Sequence, residues 1–479
     1  MSFIQIRSFD DDKSYVRFLF YSTTFAISLV CFAHAVTPEE KAVADFLNTQ
    51  TTIRVGISQA PGNGHQSASV ILIKRLREIG YTGKIEAIYS EAKDGREKLG
   101  FLLPGFNPKG PDVQHLDNLN LDLITATEFL RSNPKPVPIG MSGALDAVAD
   151  FDLETTHYLQ LQPYTWGADH FVLYRKEDGR LERVNLNHLR SQGVRMQTSV
   201  GPPATQLTEN LPGVRALLEN PSRFDWMPIY GRSDQPYKVA MQAVAAQAAQ
   251  AHKPAAFRGP VIVPVFSKFT SADEADIRQL ATQWAKEPSK LKFCRADDPS
   301  LSAIRSSLKA GETLIVFIGN VPPEVFNHFL DLSTLPASVA GKNAMNYMLN
   351  VGKPFQITSQ DKTHIQAVAE AAKSLSPSEQ EGVVTQLRTV HSALDLDLVP
   401  MAPDLKALTD YYLSALDPAD PMHAAFRMTG ETHRQNDKLS AGLLRFKELI
   451  EPSVTRAKLE GHCVTTVVSE AVRNYLMPL

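Results

Sequence analysis

Two stretches of this 479-residue chain set small residues and a basic or imidazole side chain just after an apolar, β-prone run. The first is Pro61-Gly62-Asn63-Gly64-His65-Gln66, which follows Thr52 to Ser58 and opens a helix-like run from about Gln66 to Ile79. Glycine permits a tight turn and close backbone approach, and the N–H groups of a helix start hold an anion or orient a polar acceptor. An imidazole projecting from such a turn can take a proton from an acceptor hydroxyl. His65 is therefore the candidate base, with Gly62, Asn63 and Gly64 as its acceptor loop. The plainer alternative is a sharp strand-to-helix turn in which His65 caps the helix.

The second stretch runs from Gly319 through Pro322-Pro323 to Leu335-Pro336-Ala337-Ser338-Val339-Ala340-Gly341-Lys342-Asn343-Ala344-Met345-Asn346, then Gly352-Lys353-Pro354-Phe355. Its layout is strand, loop, helix, a strand-like Leu330-Asp331-Leu332, loop, helix and turn. Gly341, Asn343 and Ala344 at a helix start would turn free N–H groups toward a diphosphate, and Lys342 would add charge. The plainer alternative is an ordinary connection whose small residues allow close packing.

Other features are less pointed. Tyr164 and Trp166 can stack on a sugar ring or pack in a core, and Asp169 and His170 face opposite ways if their segment is a strand. There is no Gly-x-Ser-x-Gly elbow, no Gly-Lys-Ser/Thr phosphate loop and no His-Glu-x-x-His zinc helix. No Cys and His spacing resembles a zinc site, and no cofactor is expected.

The elements that must position these residues alternate. Thr52–Ser58, a helix, then Lys84–Tyr89 read as a parallel βαβ unit, with further strands at 121–124, 137–140, 158–161 and 170–174. A helix over 238–251 closes this half, and His252 to Ala255 reads as a linker. The pattern restarts with a strand at 260–266, a helix capped by Ser271 with Glu274 three residues on, and strands at 291–293 and 313–318. After Pro354 the chain reads as mainly helical, with apolar residues at helical spacing over 387–398, 405–416 and 439–449. The expected fold is α/β, with two Rossmann-like doubly wound domains facing a cleft and a helical C-terminal extension. The expected units are a signal peptide at 1–35, an acceptor domain at 50–252, a donor-nucleotide domain at 256–400 and C-terminal helices at 401–479.

Composition narrows the class. Hydrophobic and charged contents of 43% and 21% are those of a globular protein, and a length of 479 residues suits two cores. The 49 basic and 52 acidic side chains give a net charge of -3, which offers no footprint for a nucleic-acid backbone. Arg7, Lys13 and Arg17 precede an apolar run from Phe18 to Phe32 that ends in Ala33-His34-Ala35, the pattern of a secretory leader. An exported protein cleaved after Ala35 is expected; the alternative is an uncleaved anchor, the only membrane contact foreseen. Removal of Cys31 leaves Cys294 and Cys463, which read as small apolar fillers or as one disulfide pair.

The Gly-Asn-Gly-His turn and the late Leu-Pro to Gly-Lys-Pro-Phe stretch together resemble GT-B glycosyltransferases, of the peptidoglycan N-acetylglucosaminyltransferase and galactolipid synthase type. The resemblance covers the chain from about Thr51 to the C-terminal helices. It implies a metal-independent, inverting transfer of a sugar from a nucleotide-diphosphate donor to a hydroxyl acceptor on a glycan, lipid or protein. It makes His65 the loop histidine and places the donor on Gly319, Gly341, Lys342, Asn343 and Ala344, with Ser267 and Lys268 in a phosphate-contacting loop. Where many members carry a glutamate for the donor ribose, this chain has Val339-Ala340-Gly341-Lys342. That departure keeps open a second expectation, an exported, non-catalytic binding or interaction protein on the same two-domain shell.

Overall fold

The computed structural model describes residues 36–58, 64–91, 94–143, 153–161, 171–175, 181–183, 208–209, 211–231, 235–252, 259–359, 362–395, 403–435 and 437–460. The leader, Gly62, Asn63, the 162–170 loop with Tyr164, Trp166, Asp169 and His170, the 253–255 linker and Cys463 lie outside them.

The first domain is an eight-stranded sheet of β1 (Thr52–Ile57), β2 (Lys84–Tyr89), β3 (Val113–Leu116), β4 (Leu121–Thr125), β5 (Val137–Ser142), β6 (Thr155–Leu161), β7 (Phe171–Arg175) and β8 (Leu181–Arg183). Its order is β3-β4-β2-β1-β5-β6-β7-β8. The five central strands are parallel, and β3, β7 and β8 run against their neighbours. Strand β1 is buried at every position after Thr52, as a central parallel strand must be. Helices α1 (Pro38–Asn48), α2 (Gly64–Glu78), α3 (Gly95–Leu102) and α4 (Ala126–Arg131) complete this part of the chain.

The second domain takes up α5 (Pro212–Leu217), β9 (Asp225–Trp226), α6 (Pro236–His252), β10 (Val261–Val265), α7 (Ser271–Trp284), β11 (Leu291–Arg295), α8 (Leu301–Ser307), β12 (Thr313–Phe317), α9 (Pro323–Leu332), β13 (Ala337–Val339), α10 (Lys342–Val351) and β14 (Phe355–Ile357). Strands pair in the order β11-β12-β10-β9, and Ile229, just beyond β9, bridges to both Val265 and Ser338, joining β13-β14 to the same parallel array. In chain order the six strands lie third, fourth, second, first, fifth, sixth. That is also the order of β3-β4-β2-β1-β5-β6, with one difference, that β3 is antiparallel to β4 where β11 is parallel to β12. Helices α11 (Thr363–Ala371), α12 (Pro377–Leu394), α13 (Leu405–Leu416), α14 (Pro421–Gln435) and α15 (Lys438–Glu460) follow.

The division between domains differs from the sequence reading. Helix α6, expected to close the first domain, fills the second core with Val239, Ala243 and Val244, because β9 pairs with β10 and α6 crosses between them. Helix α1, ahead of the expected domain start, buries Val43, Ala44, Phe46 and Leu47 in the first core. Helix α15 leaves the C-terminal helices and returns to that core with Leu439, Leu443, Phe446, Ile450 and Val454.

Two local expectations are corrected as well. Leu330-Asp331-Leu332 is the last turn of α9 rather than a strand, since Val325, Phe329 and Leu330 form one buried helical face. The cap of α7 is Thr270, not Ser271, in a reciprocal box with Asp273. The chain after Pro354 is mainly helical as expected, once the short strand of Phe355, Gln356 and Ile357 has paired with β13. Cys294 is buried and free in β11.

Candidate functional site

In doubly wound sheets a ligand sits outside the carboxyl ends of the strands, where the winding changes direction. In the first domain that point lies between β1 and β5, which pair in parallel through Gly56 and Ser142. Gly64 and His65 are the first two residues of α2, which starts there; Gly64 is exposed and His65 half-buried. The helix is tied to both strands by Ser69, whose Oγ donates to the Gly56 carbonyl at 2.8 Å and accepts from the Gly143 N–H at 3.2 Å. Gln66 Nε2 donates to the Gly95 carbonyl at 3.3 Å and so ties the start of α2 to that of α3. Along this edge Ser58 Oγ, Gln66 Oε1 and Gln160 Nε2 are buried with no hydrogen-bond partner among the described residues. Buried polar atoms in folded proteins are nearly always satisfied by protein or by water.

The second domain changes direction between β9 and β13. Tyr230 N–H donates to the Ser338 carbonyl and Ser338 N–H to the Pro228 carbonyl, both at 2.8 Å. The loops that leave these two strands touch. Gly231 has a left-handed φ of 106°, and a β-carbon there would stand 2.1 Å from that of Ala340. Ser267 Oγ accepts from the Gly231 N–H at 3.2 Å and donates to its carbonyl at 3.1 Å. The same edge thus assembles Ser267 after β10, Gly319 after β12 and Gly341 after β13. Gly341 is the N-cap of α10 and makes no side-chain cap there, since glycine has no side chain to accept from the helix. Lys268 and Lys342 are exposed, Asn343 Oδ1 is buried without a partner and Ala344 is buried.

Lys238, in the first turn of α6, escaped the sequence reading. It is buried, and its Nζ donates to the Thr358 carbonyl at 3.3 Å, just past β14. The available signal was a lysine in a helix otherwise built of apolar residues, glutamine and one terminal histidine.

The two edges are joined by packing of α2 against α10 and by an ion pair between Lys74 of α2 and Glu324 of α9, 2.7 Å apart. The helix that begins with His65 is therefore the one that meets the helix beginning after Gly341. Among the described residues no cluster of His, Cys, Asp or Glu could hold a metal ion, and no helix is long and apolar enough to cross a membrane.

The fold is α/β, with two doubly wound domains and a helical C-terminal region. No family model matches the chain, and no curated protein matches it. Among solved structures, it is similar to the UDP-forming alpha,alpha-trehalose-phosphate synthase of Burkholderia xenovorans in complex with glucose-6-phosphate, at 12% identity and a TM-score of 0.29 over 80% of this chain and 70% of that one. The Burkholderia vietnamiensis enzyme matches at 12% identity and a TM-score of 0.31, over 80% and 73% of the two chains. A structure from E. coli bound with UDP-2-fluoro glucose matches at 10% identity and a TM-score of 0.34, over 84% and 98%. At these TM-scores the likeness adds nothing about chemistry, and the fold assignment rests on the two strand orders. The two Burkholderia structures are trehalose-phosphate synthases.

Proposed function

We propose that the protein is a glycosyltransferase that moves a sugar from a nucleotide-diphosphate donor to a hydroxyl acceptor. The observation that carries this reading is the second domain's edge, where Gly231, Ser267, Gly319 and the glycine N-cap of α10 at Gly341 lie together. Small residues let backbone N–H groups approach a diphosphate, and the helix dipole favours its charge. Lys342, Lys268 and the buried Lys238 supply cationic side chains around that edge.

The acceptor belongs on the first domain's edge, where Ser58 Oγ, Gln66 Oε1 and Gln160 Nε2 offer unpartnered polar atoms to hydroxyl groups. His65, at the start of α2, takes the acceptor proton as its oxygen attacks the anomeric carbon, and the nucleoside diphosphate leaves from the opposite face with inversion. Protonated His65 then returns the proton to solvent.

The test is a thermal-shift panel of nucleoside diphosphates followed by a transfer assay with the matching nucleotide sugars. A ligand bound only by the native state raises the apparent melting temperature. No shift with any nucleotide would end the donor-site reading. A second reading is favoured by α10, whose sequence KNAMNYMLNV carries no acidic side chain for a ribose. Under it the protein binds a nucleotide or a partner without turnover, and a shift without transfer would select it.

A further inference from the structure

Consecutive residues hold α2 to two different parts of the chain. Lys74 Nζ lies 2.7 Å from Glu324 Oε1, in the first turn of α9, across the domain boundary. Arg75 engages the junction of α14 and α15: its guanidinium donates to Asp437 and, at 2.9 Å, to Ser440 Oγ, and its Nε lies 2.8 Å from Glu78. Ser440 Oγ donates in turn to Glu40 Oε1 of α1 at 2.6 Å. The Arg75 cluster is buried and draws on several elements, so it forms a fixed part of the first domain.

The Lys74 and Glu324 contact is of another kind. It is a single pair, with side chains 23% and 15% exposed, and Glu324 Oε2 is buried with no partner. Two residues further along α9, the Phe326 ring packs on Tyr230 with centroids 5.0 Å apart. A Tyr230 ring carbon lies 3.5 Å from where a β-carbon would stand at Gly341. Contacts thus run without a break from Lys74, through the first turn of α9, to the start of α10.

We propose that Lys74 and Glu324 are positioning residues that set the spacing of α2, and with it His65, against the donor edge of the second domain. The reaction part of this rests on the glycosyltransferase reading; the spacing part does not. A half-buried pair loses more than a surface pair when one partner is removed, because the other charge stays partly desolvated. Misplacing a reacting group by 1 Å costs on the order of 100-fold in rate, so a small rotation of α2 is enough to be read in kcat.

The experiment uses the full chain with Lys74→Met, Glu324→Gln, the exchange Lys74→Glu with Glu324→Lys, and Lys74→Arg as the conservative control. Small-angle X-ray scattering should show a larger radius of gyration for both neutral variants and recovery in the exchange and in Lys74→Arg. In transfer assays the neutral variants should lose about 10-fold or more in kcat while the donor KM stays within about two-fold, and the exchange should recover most of the loss. Scattering curves of both neutral variants that superpose on the parent would overturn the proposal, as would an exchange no better than the single variants. If the parent protein turns over no nucleotide sugar, the scattering result still decides the spacing, and only the glycosyltransferase reading fails.

Discussion

A β-carbon on Gly143 would stand 2.4 Å from the carbonyl carbon of Ala68, which places the end of β5 in backbone contact with α2 where the first sheet changes direction. Neither backbone can yield, because Ser69 hydrogen-bonds to both Gly56 and Gly143. Gly143→Ala should therefore destabilise the first domain by about 1–3 kcal/mol, the usual range for overpacking. Urea denaturation measures this, and an unchanged midpoint would refute the close contact.

Gly231 combines a left-handed φ with an overlap against Ala340, so Gly231→Ala is opposed by conformation and by space at once. The substitution should abolish the thermal shift given by nucleoside diphosphates. Adding Ala340→Gly should relieve the overlap but not the backbone strain, giving partial recovery. Full nucleotide response in Gly231→Ala would separate this loop from the proposed donor edge.

Burial works against the charge of Arg75, but Asp437 and Glu78 more than offset it, and the guanidinium is held charged above its ordinary range. Arg75→Met would leave carboxylates buried without their cation, at a cost of about 3–5 kcal/mol. Arg75→Met combined with Asp437→Asn should cost less than the sum of the two single changes. Additive losses in a double-mutant cycle by urea denaturation would show the two residues to be uncoupled.

His433 is held neutral: burial first, and the neighbouring Arg434 charge second, bring its pKa from 6.5 down to about 3. Below the ordinary value the unfolded chain takes up a proton that the folded chain refuses. Stability is therefore intact above pH 6.5 and falls as the pH drops toward 3, by up to about 1.4 kcal/mol per unit. Denaturation midpoints measured down the acid limb should fall less steeply for His433→Gln. Parallel acid limbs would assign the loss to other groups.

Legibility in the sequence followed the range of the cause. Strand β2 and helix α13 have the limits that their apolar periodicity indicates, because alternation and helical spacing are local. The helix starts at Gly64 and Gly341 were likewise visible as small residues after apolar runs. Leu330 to Leu332 misled because three residues cannot separate period 2 from period 3.6, and the helical face appears only with Val325 and Phe329 included. The placement of α6 was hidden because β9 is two residues long and gains its meaning from β10, some 35 residues later. Lys74 with Glu324, and Arg75 with Asp437, meet across 250 and 362 residues, so nothing in their local sequence distinguishes them from solvated charges.

The return of α15 to the first core has a consequence for how the protein is made. The second domain is drawn from one uninterrupted stretch, whereas the first is closed by a helix near the other end of the chain. A ribosome making the chain from its N-terminus releases everything the second domain needs before the last segment of the first arrives. The earlier-synthesised domain is thus the later one to mature, and its apolar seat for Leu443, Phe446 and Ile450 stays uncovered until then. Newly made chains are most exposed to aggregation at that seat.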